Sequence, residues 1–116
     1  MALSVSVRKR PLFENEEYFG FVDTISCPSP HITLHVPTLE RGPRKAVTNR
    51  TYRFDNVFKS TTHDLYRYQV RSAVSKVLVR GTATCIAYGS SGSGKTFTMR
   101  GLTQMAGKEL YKLKPD

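Results

Sequence analysis

Gly89-Ser90-Ser91-Gly92-Ser93-Gly94-Lys95-Thr96 is a complete G-x-x-x-x-G-K-[ST] pattern, and its neighbours suit it. The uncharged, largely apolar run over 82–88 reads as a strand, and Lys95 to Met99 can open a helix. In that context the pattern is a phosphate-binding loop. The backbone N–H groups of Gly89, Ser90, Ser91, Gly92, Ser93 and Gly94 can converge on the α- and β-phosphates of a nucleotide. Lys95 reaches the β- and γ-phosphates, and the Thr96 hydroxyl suits Mg²⁺. A chain wrapping phosphate this closely leaves ordinary φ/ψ space and carries no Cβ into the ligand, which is why glycine recurs. A flexible Gly/Ser-rich loop is the bland alternative, but a chain of this length meets the pattern by chance only roughly a few times in a thousand.

Hydrolysis asks for more than a phosphate loop. A carboxylate must help hold Mg²⁺ and another group must position the water. After Lys95 the acids are Glu109 and Asp116, and neither follows an apolar run. Phe21-Val22-Asp23 has the right shape but lies upstream. These 116 residues are therefore expected to bind nucleotide without turning it over appreciably.

Charge points to a second property. Lys and Arg number 18 against 9 acids, a net charge of +9, and part of it is concentrated. Arg41, Arg44, Lys45, Arg50 and Arg53 fall within thirteen residues that contain no acid. Charge alone serves a polyanionic partner (nucleic acid, a membrane surface or an acidic protein) and a solvated loop equally. No nucleic-acid reading motif accompanies the charge, so nucleic acid is not the expected partner. No apolar run approaches transmembrane length, and the basic residues at 8–10 follow rather than precede the apolar start, the reverse of a secretory signal. Cys27 and Cys85 have no metal-ligand spacing, and Cys85, inside the expected strand, reads as a small buried thiol.

The chain is long enough for one domain and too short for two. Four strand-like stretches come first. Residues 2–7 alternate, 19–25 and 31–36 follow around the Cys27-Pro28-Ser29-Pro30 turn, and 51–58 is β-branched and aromatic. Between the last two lies a basic loop over 37–50. From Thr62 the period changes: Leu65, Tyr66, Gln69, Val70, Ala73, Val74, Val77 and Leu78 fall three or four apart, an amphipathic helix. Thr61 and Asp64 have capping-box spacing, and Gly81 is placed to end the helix. Gly101 is expected to interrupt the helix after the phosphate loop, with a second helical stretch over 104–114 ending at Pro115. Strand, helix, strand, loop and helix around a phosphate site make an α/β arrangement with a right-handed crossover.

Three motifs, in order, resemble the kinesin motor domain. Ala87-Tyr88-Gly89 and Gly92-Ser93-Gly94-Lys95-Thr96-Phe97-Thr98-Met99 are similar to that family's A-Y-G-Q-T-G-S-G-K-T-x-T-M, with Ser90 and Ser91 in place of Gln and Thr. Arg8-Lys9-Arg10-Pro11 matches R-x-R-P, and Tyr52-Arg53-Phe54-Asp55-Asn56-Val57-Phe58 resembles F-x-F-D-x-V-F. The resemblance covers residues 3–101, the opening part of a motor domain, and 102–116 read as a divergent tail. The switch I N-x-x-S-S-R and switch II D-x-A-G-x-E motifs do not occur in the 116 residues. Val7 to Leu12, Tyr66-Arg67-Tyr68 and Arg80 to Cys85 are similar to the microtubule-depolymerising internal-motor class. That class reaches tubulin through Lys-Val-Asp in a basic loop, where this chain has Arg44-Lys45-Ala46-Val47-Thr48.

The resemblance implies a P-loop NTPase fold, partial, mostly β-sheet in its N-terminal portion, with one long helix before the P-loop strand. It implies ATP or ADP with Mg²⁺ at residues 89–96. It also implies adenine packed on Phe97 and shelved by Arg8, Arg10 and Pro11, and a microtubule partner in a cytoplasmic, cytoskeletal setting. Arg41, Arg44, Lys45 and Arg50 are the expected tubulin contacts. From the residues alone, Arg8 to Pro11 can equally be a solvated basic turn, Phe97 a core helix residue, and Asp55 a strand-end carboxylate bonding nearby backbone.

Overall fold

A computed structural model describes residues 2–39, 42, 44–59 and 61–112. They fall into two compact units, 1–59 and 60–116. The first is mainly β. β1 (Ser6–Arg8) pairs in parallel with β5 (Asn56–Phe58), with Val7 opposite Val57. β2 (Ile25–Ser26), β3 (His31–Leu39) and β4 (Lys45–Arg53) form an antiparallel sheet in the order β2-β3-β4. α1 (Glu14–Tyr18) lies between β1 and β2 in the chain. The second unit is helical: α2 (Thr62–Leu65), a π-helical turn (Tyr66–Val70), α3 (Arg71–Leu78) and α4 (Lys95–Lys112).

Several sequence expectations change here. The alternating start pairs only at Ser6–Arg8. The stretch 19–25 is strand only at its end, because Glu14–Tyr18 turns into a helix whose acidic first turn complements its N-terminal dipole. The Glu16 carboxylate accepts the Phe13 N–H at 2.8 Å, the half of a capping box that a Phe N-cap can take part in. The basic segment 37–50 is largely strand rather than loop. β3 and β4 pair from His31 opposite Arg53 to Leu39 opposite Lys45. Pro37 fits inside β3 because of its parity. His35 N–H points toward β2 and donates to Thr24 O at 2.8 Å, so residue 37 faces the same side, where β2 has already ended. The missing proline N–H leaves no ladder bond unmade.

The run 51–58 divides between β4 and β5 at Phe54-Asp55. Asp55 bonds backbone, as a strand-end carboxylate should, but the backbone lies fifty residues away. Val5 N–H donates to Asp55 Oδ2 at 2.7 Å, and Asp55 N–H donates to Val5 O at 3.0 Å. The clamp starts the β1–β5 register.

In the helical unit, Leu65, Tyr66 and Val74 are buried, as their period requires. Val77 and Leu78 stay exposed, since the helical face there outruns its cover. Thr61 is the N-cap but makes no side-chain capping bond, so the expected box does not form. The helix ends in a Schellman arrangement: Gly81 N–H donates to Lys76 O at 2.9 Å and Arg80 N–H to Val77 O at 3.1 Å. The left-handed residue is Arg80 (φ 62°), not glycine. Gly81 is needed for space, because a Cβ there would lie 2.7 Å from Lys76 O.

The largest departure is at 82–88, where no strand forms. None of β1 to β5 pairs with these residues, and Ile86 (84% exposed) and Tyr88 (99%) face solvent. A strand exists only through its ladder, and without one the expected crossover is absent. Cys85 is consequently exposed rather than buried.

α4 runs unbroken through Gly101. Glycine in mid-helix disfavours the helix by about 1 kcal/mol relative to alanine, and here the close approach of another helix explains it. A Cβ on Gly101 would lie 2.7 Å from Thr62 Cγ2. Further along α4, the Glu109 carboxylate accepts a short hydrogen bond from the Tyr66 hydroxyl and another from Arg71 Nε at 3.0 Å. The expected end of the last helix at Pro115 lies outside the described residues.

Two measurements check this packing. Gly101→Ala should destabilise the chain by about 1–2 kcal/mol despite alanine's better helix propensity, since overpacking outweighs it. In a Thr62→Ser background, which lacks Cγ2, the same substitution should become neutral or stabilising in chemical unfolding. The second measurement concerns pH. Burial first, then the bond to Glu109, pushes the Tyr66 phenol from 10.0 up to about 12. Its contribution to stability is complete below pH 10 and lost as pH rises from 10 to 12. Tyr66→Phe should therefore flatten the alkaline loss of the unfolding midpoint; parallel curves would contradict the assignment.

Candidate phosphate-binding site

The loop 89–94 leads directly into α4. Ser93 N–H and Oγ–H both donate to Ser90 O, at 3.2 and 2.7 Å, closing a turn over Ser90, Ser91, Gly92 and Ser93. Gly92 (φ +76°) and Gly94 (φ +96°) hold left-handed conformations that an L side chain rarely adopts. Thr98 N–H donates to Gly94 O at 2.9 Å, the first bond of the helix. The N–H groups of Lys95 and Thr96 precede that bond and have no carbonyl a turn earlier within the helix. They give the loop a positive floor, reinforced by the dipole of an 18-residue helix.

Lys95 is half-buried and folds back over the loop. Its ammonium donates to Gly89 O in a short hydrogen bond and to Ser90 O at 3.0 Å. A phosphate oxygen offers the same ammonium a charge-assisted bond, stronger than either neutral carbonyl. The donor set (backbone N–H, one ammonium and the positive end of a helix) suits a polyphosphate. Thr96 is exposed at the start of α4, and its hydroxyl oxygen is the type of ligand Mg²⁺ takes. Phe97 is 70% exposed, so it is not a core residue.

Arg8, Arg10 and Pro11 belong to the first unit and the loop to the second. Within the first unit, β1–β5 pairing brings Arg8 opposite Phe58, and Lys9 N–H donates to Phe58 O at 2.7 Å. The two upstream motifs, far apart in sequence, are thus neighbours. Arg8 is half-buried, and burial lowers its pKa. Arg10 grips Glu16 through both terminal nitrogens, at 3.1 and 2.7 Å, and its guanidinium lies 4.4 Å from the Phe13 ring centre. Lys9 is bound to the Asp23 carboxylate and to Ile25 O at 2.8 Å. The basic turn is therefore not simply solvated: Lys9 and Arg10 each hold an acid. Pro11 lines a hollow of about 310 Å³ with Lys9, Leu12, Glu17, Asp23 and Lys59.

The sequence offered Asp23 and Glu109 only as candidate Mg²⁺ carboxylates and Glu16 not at all; in the structure all three hold other side chains. The Lys9 ion pair and the Ile25 N–H hold the Asp23 carboxyl below the usual range, and the Tyr66 hydroxyl with Arg71 does the same for Glu109. Glu16, three residues after the Phe13 N-cap, carried the one local signal. Glu109 had none, because its partners lie in another helix.

Arg44, Lys45, Arg50 and Arg53 are exposed at and along β4. Arg41 lies outside the described residues. No helix of the described chain is long and apolar enough to cross a membrane.

A family model described as the kinesin motor domain matches residues 8–112 of the chain. The match takes in the Arg8–Pro11 turn, the β3–β4 hairpin, the phosphate loop and α4 through its described end.

Proposed function

The chain belongs to the kinesin motor-domain family, and from that premise we propose that it binds Mg²⁺-ATP or Mg²⁺-ADP through residues 89–96 and docks on tubulin through the β3–β4 hairpin. Membership carries a P-loop NTPase type of fold and, in general, nucleotide and microtubule binding. The observation behind the nucleotide site is the left-handed Gly92 and Gly94 delivering the chain to the N-terminus of α4 with the Lys95 ammonium folded over the loop.

In this reading the loop amides and Lys95 hold the phosphates, and Thr96 supplies one oxygen to Mg²⁺, the ion that neutralises phosphate charge. Phe97, exposed one residue on, offers a ring for the adenine. Hydrolysis is not assigned to these residues. The acids in the described chain that the sequence brought forward, Asp23 and Glu109, are occupied with Lys9 and with Tyr66 and Arg71.

The hairpin reading rests on a specific observation of its own. Arg44, Lys45 and Arg50 have no ion-pair partner among the described residues, whereas Lys9, Arg10 and Arg71 do. A pair of nine-residue strands whose outer strand carries uncompensated cations suits an acidic protein surface. The likeness to internal motors extends the proposal to microtubule depolymerisation, although the basic region reads Arg44-Lys45-Ala46-Val47-Thr48 and lacks the Lys-Val-Asp of that class.

Lys95→Ala should weaken binding of a fluorescent ATP analogue at least tenfold, since loss of one charge-assisted phosphate contact is worth about 1.5–3 kcal/mol. Unchanged affinity would refute the site. Charge reversal of Arg44 and Lys45 to Glu should abolish salt-sensitive cosedimentation with microtubules while leaving the analogue's affinity unchanged. Retained cosedimentation would remove the hairpin from the interface.

A further inference from the structure

Among the described residues of the β2-β3-β4 sheet, the aliphatic hydroxyls are nearly all engaged. Ser26 Oγ lies 2.7 Å from His35 Nε2, Thr33 and Thr51 bond each other at 2.9 Å, and Thr38 donates to Ala46 O at 3.3 Å. Thr48 is the exception: it is exposed, opposite Val36, and makes no side-chain hydrogen bond among the described residues. Its strand, β4, is the outer strand of the sheet, so one side of its extended backbone is unpaired by any described strand. The flanking residues are Arg44 and Lys45 before it and Arg50 after it, all exposed.

We propose that Thr48 is a phosphate-acceptor site for a basophilic Ser/Thr protein kinase, one that reads basic residues three before and two after the acceptor. Such an enzyme needs an extended segment, a free hydroxyl and cations for its acidic groove. The strand Lys45-Ala46-Val47-Thr48-Asn49-Arg50 presents all three. In the reaction, the Thr48 hydroxyl oxygen forms a bond to the γ-phosphorus of the kinase's Mg²⁺-ATP, and the bond from that phosphorus to the β,γ-bridging oxygen breaks. The hydroxyl proton passes to the kinase's base, and the products are phosphothreonine and ADP.

The consequence is electrostatic. Side chains alternate along a strand, so Thr48 and Arg50 share a face about 7 Å apart, within reach of a guanidinium–phosphate pair. A phosphate carries roughly −1.5 to −2 charges at neutral pH, enough to offset about half to two-thirds of the positive charge of Arg44, Lys45 and Arg50. This consequence, unlike the acceptor assignment, rests on the tubulin-docking reading above. Phosphorylation would then release the hairpin from an acidic surface.

The test incubates the full chain with Mg²⁺-ATP and a protein kinase C catalytic fragment, with a peptide of residues 44–51 as positive control. Fragmentation mass spectrometry is expected to place one phosphoryl group on Thr48. Thr48→Ser should retain it, Thr48→Ala should lose it, and Lys45→Ala with Arg50→Ala should lose it with an unchanged circular-dichroism spectrum. Phosphorylation of the peptide but not the chain would overturn the proposal, as would labelling of neither or of another hydroxyl. A chain stoichiometrically phosphorylated on Thr48 should cosediment with microtubules several-fold more weakly. If the unmodified chain does not cosediment at all, the docking reading fails while the acceptor site is still decided by mass spectrometry.

Discussion

The approach of α2 to α4 at Gly101 organises the unit that carries the phosphate loop. With Thr62 Cγ2 where a Cβ would be 2.7 Å away, only glycine lets the helices meet without a shift. Two turns along α4, Glu109 holds the Tyr66 hydroxyl and the Arg71 guanidinium. These two contacts lie on the same helix whose first residue is Lys95. Whatever sets the direction of α4 therefore sets where its N-terminus, and the loop before it, can present N–H groups.

Elements whose reasons are local were readable in the sequence. The phosphate loop, the start of α4 at Lys95, the 27–30 turn, the buried face through Leu65 and Val74, and the helix end at Gly81 all depend on residues within a turn or two of each other. What could not be read depends on distant partners. Residues 82–88 have strand composition but acquire no ladder. Residues 37–50 look like a basic loop because Pro37 and Gly42-Pro43 punctuate them, yet parity places Pro37 where no bond is missed. Gly101 looks like a helix breaker until Thr62 is seen beside it. Asp55 joins Val5 across fifty residues, a pairing that spacing alone does not reveal.

At the candidate site the same division holds. Residues 89–96 were legible as one motif because the Ser90–Ser93 turn, the left-handed Gly92 and Gly94 and the start of α4 are all local. The state of Arg8 to Pro11 was not, because the acids that engage Lys9 and Arg10 lie farther on, at Asp23 and Glu16. The cations of β4 show the opposite case. With no acid between them in sequence, they also find no ion-pair partner in the fold among the described residues.

The central claim is that the backbone amides of this loop hold nucleotide phosphates. Hydrogen exchange of the chain with and without Mg²⁺-ATP tests it most directly. The account predicts slowed exchange concentrated in residues 90–97, absent when Mg²⁺-AMP replaces Mg²⁺-ATP. Unchanged exchange in the loop, or protection confined to other segments, would contradict it.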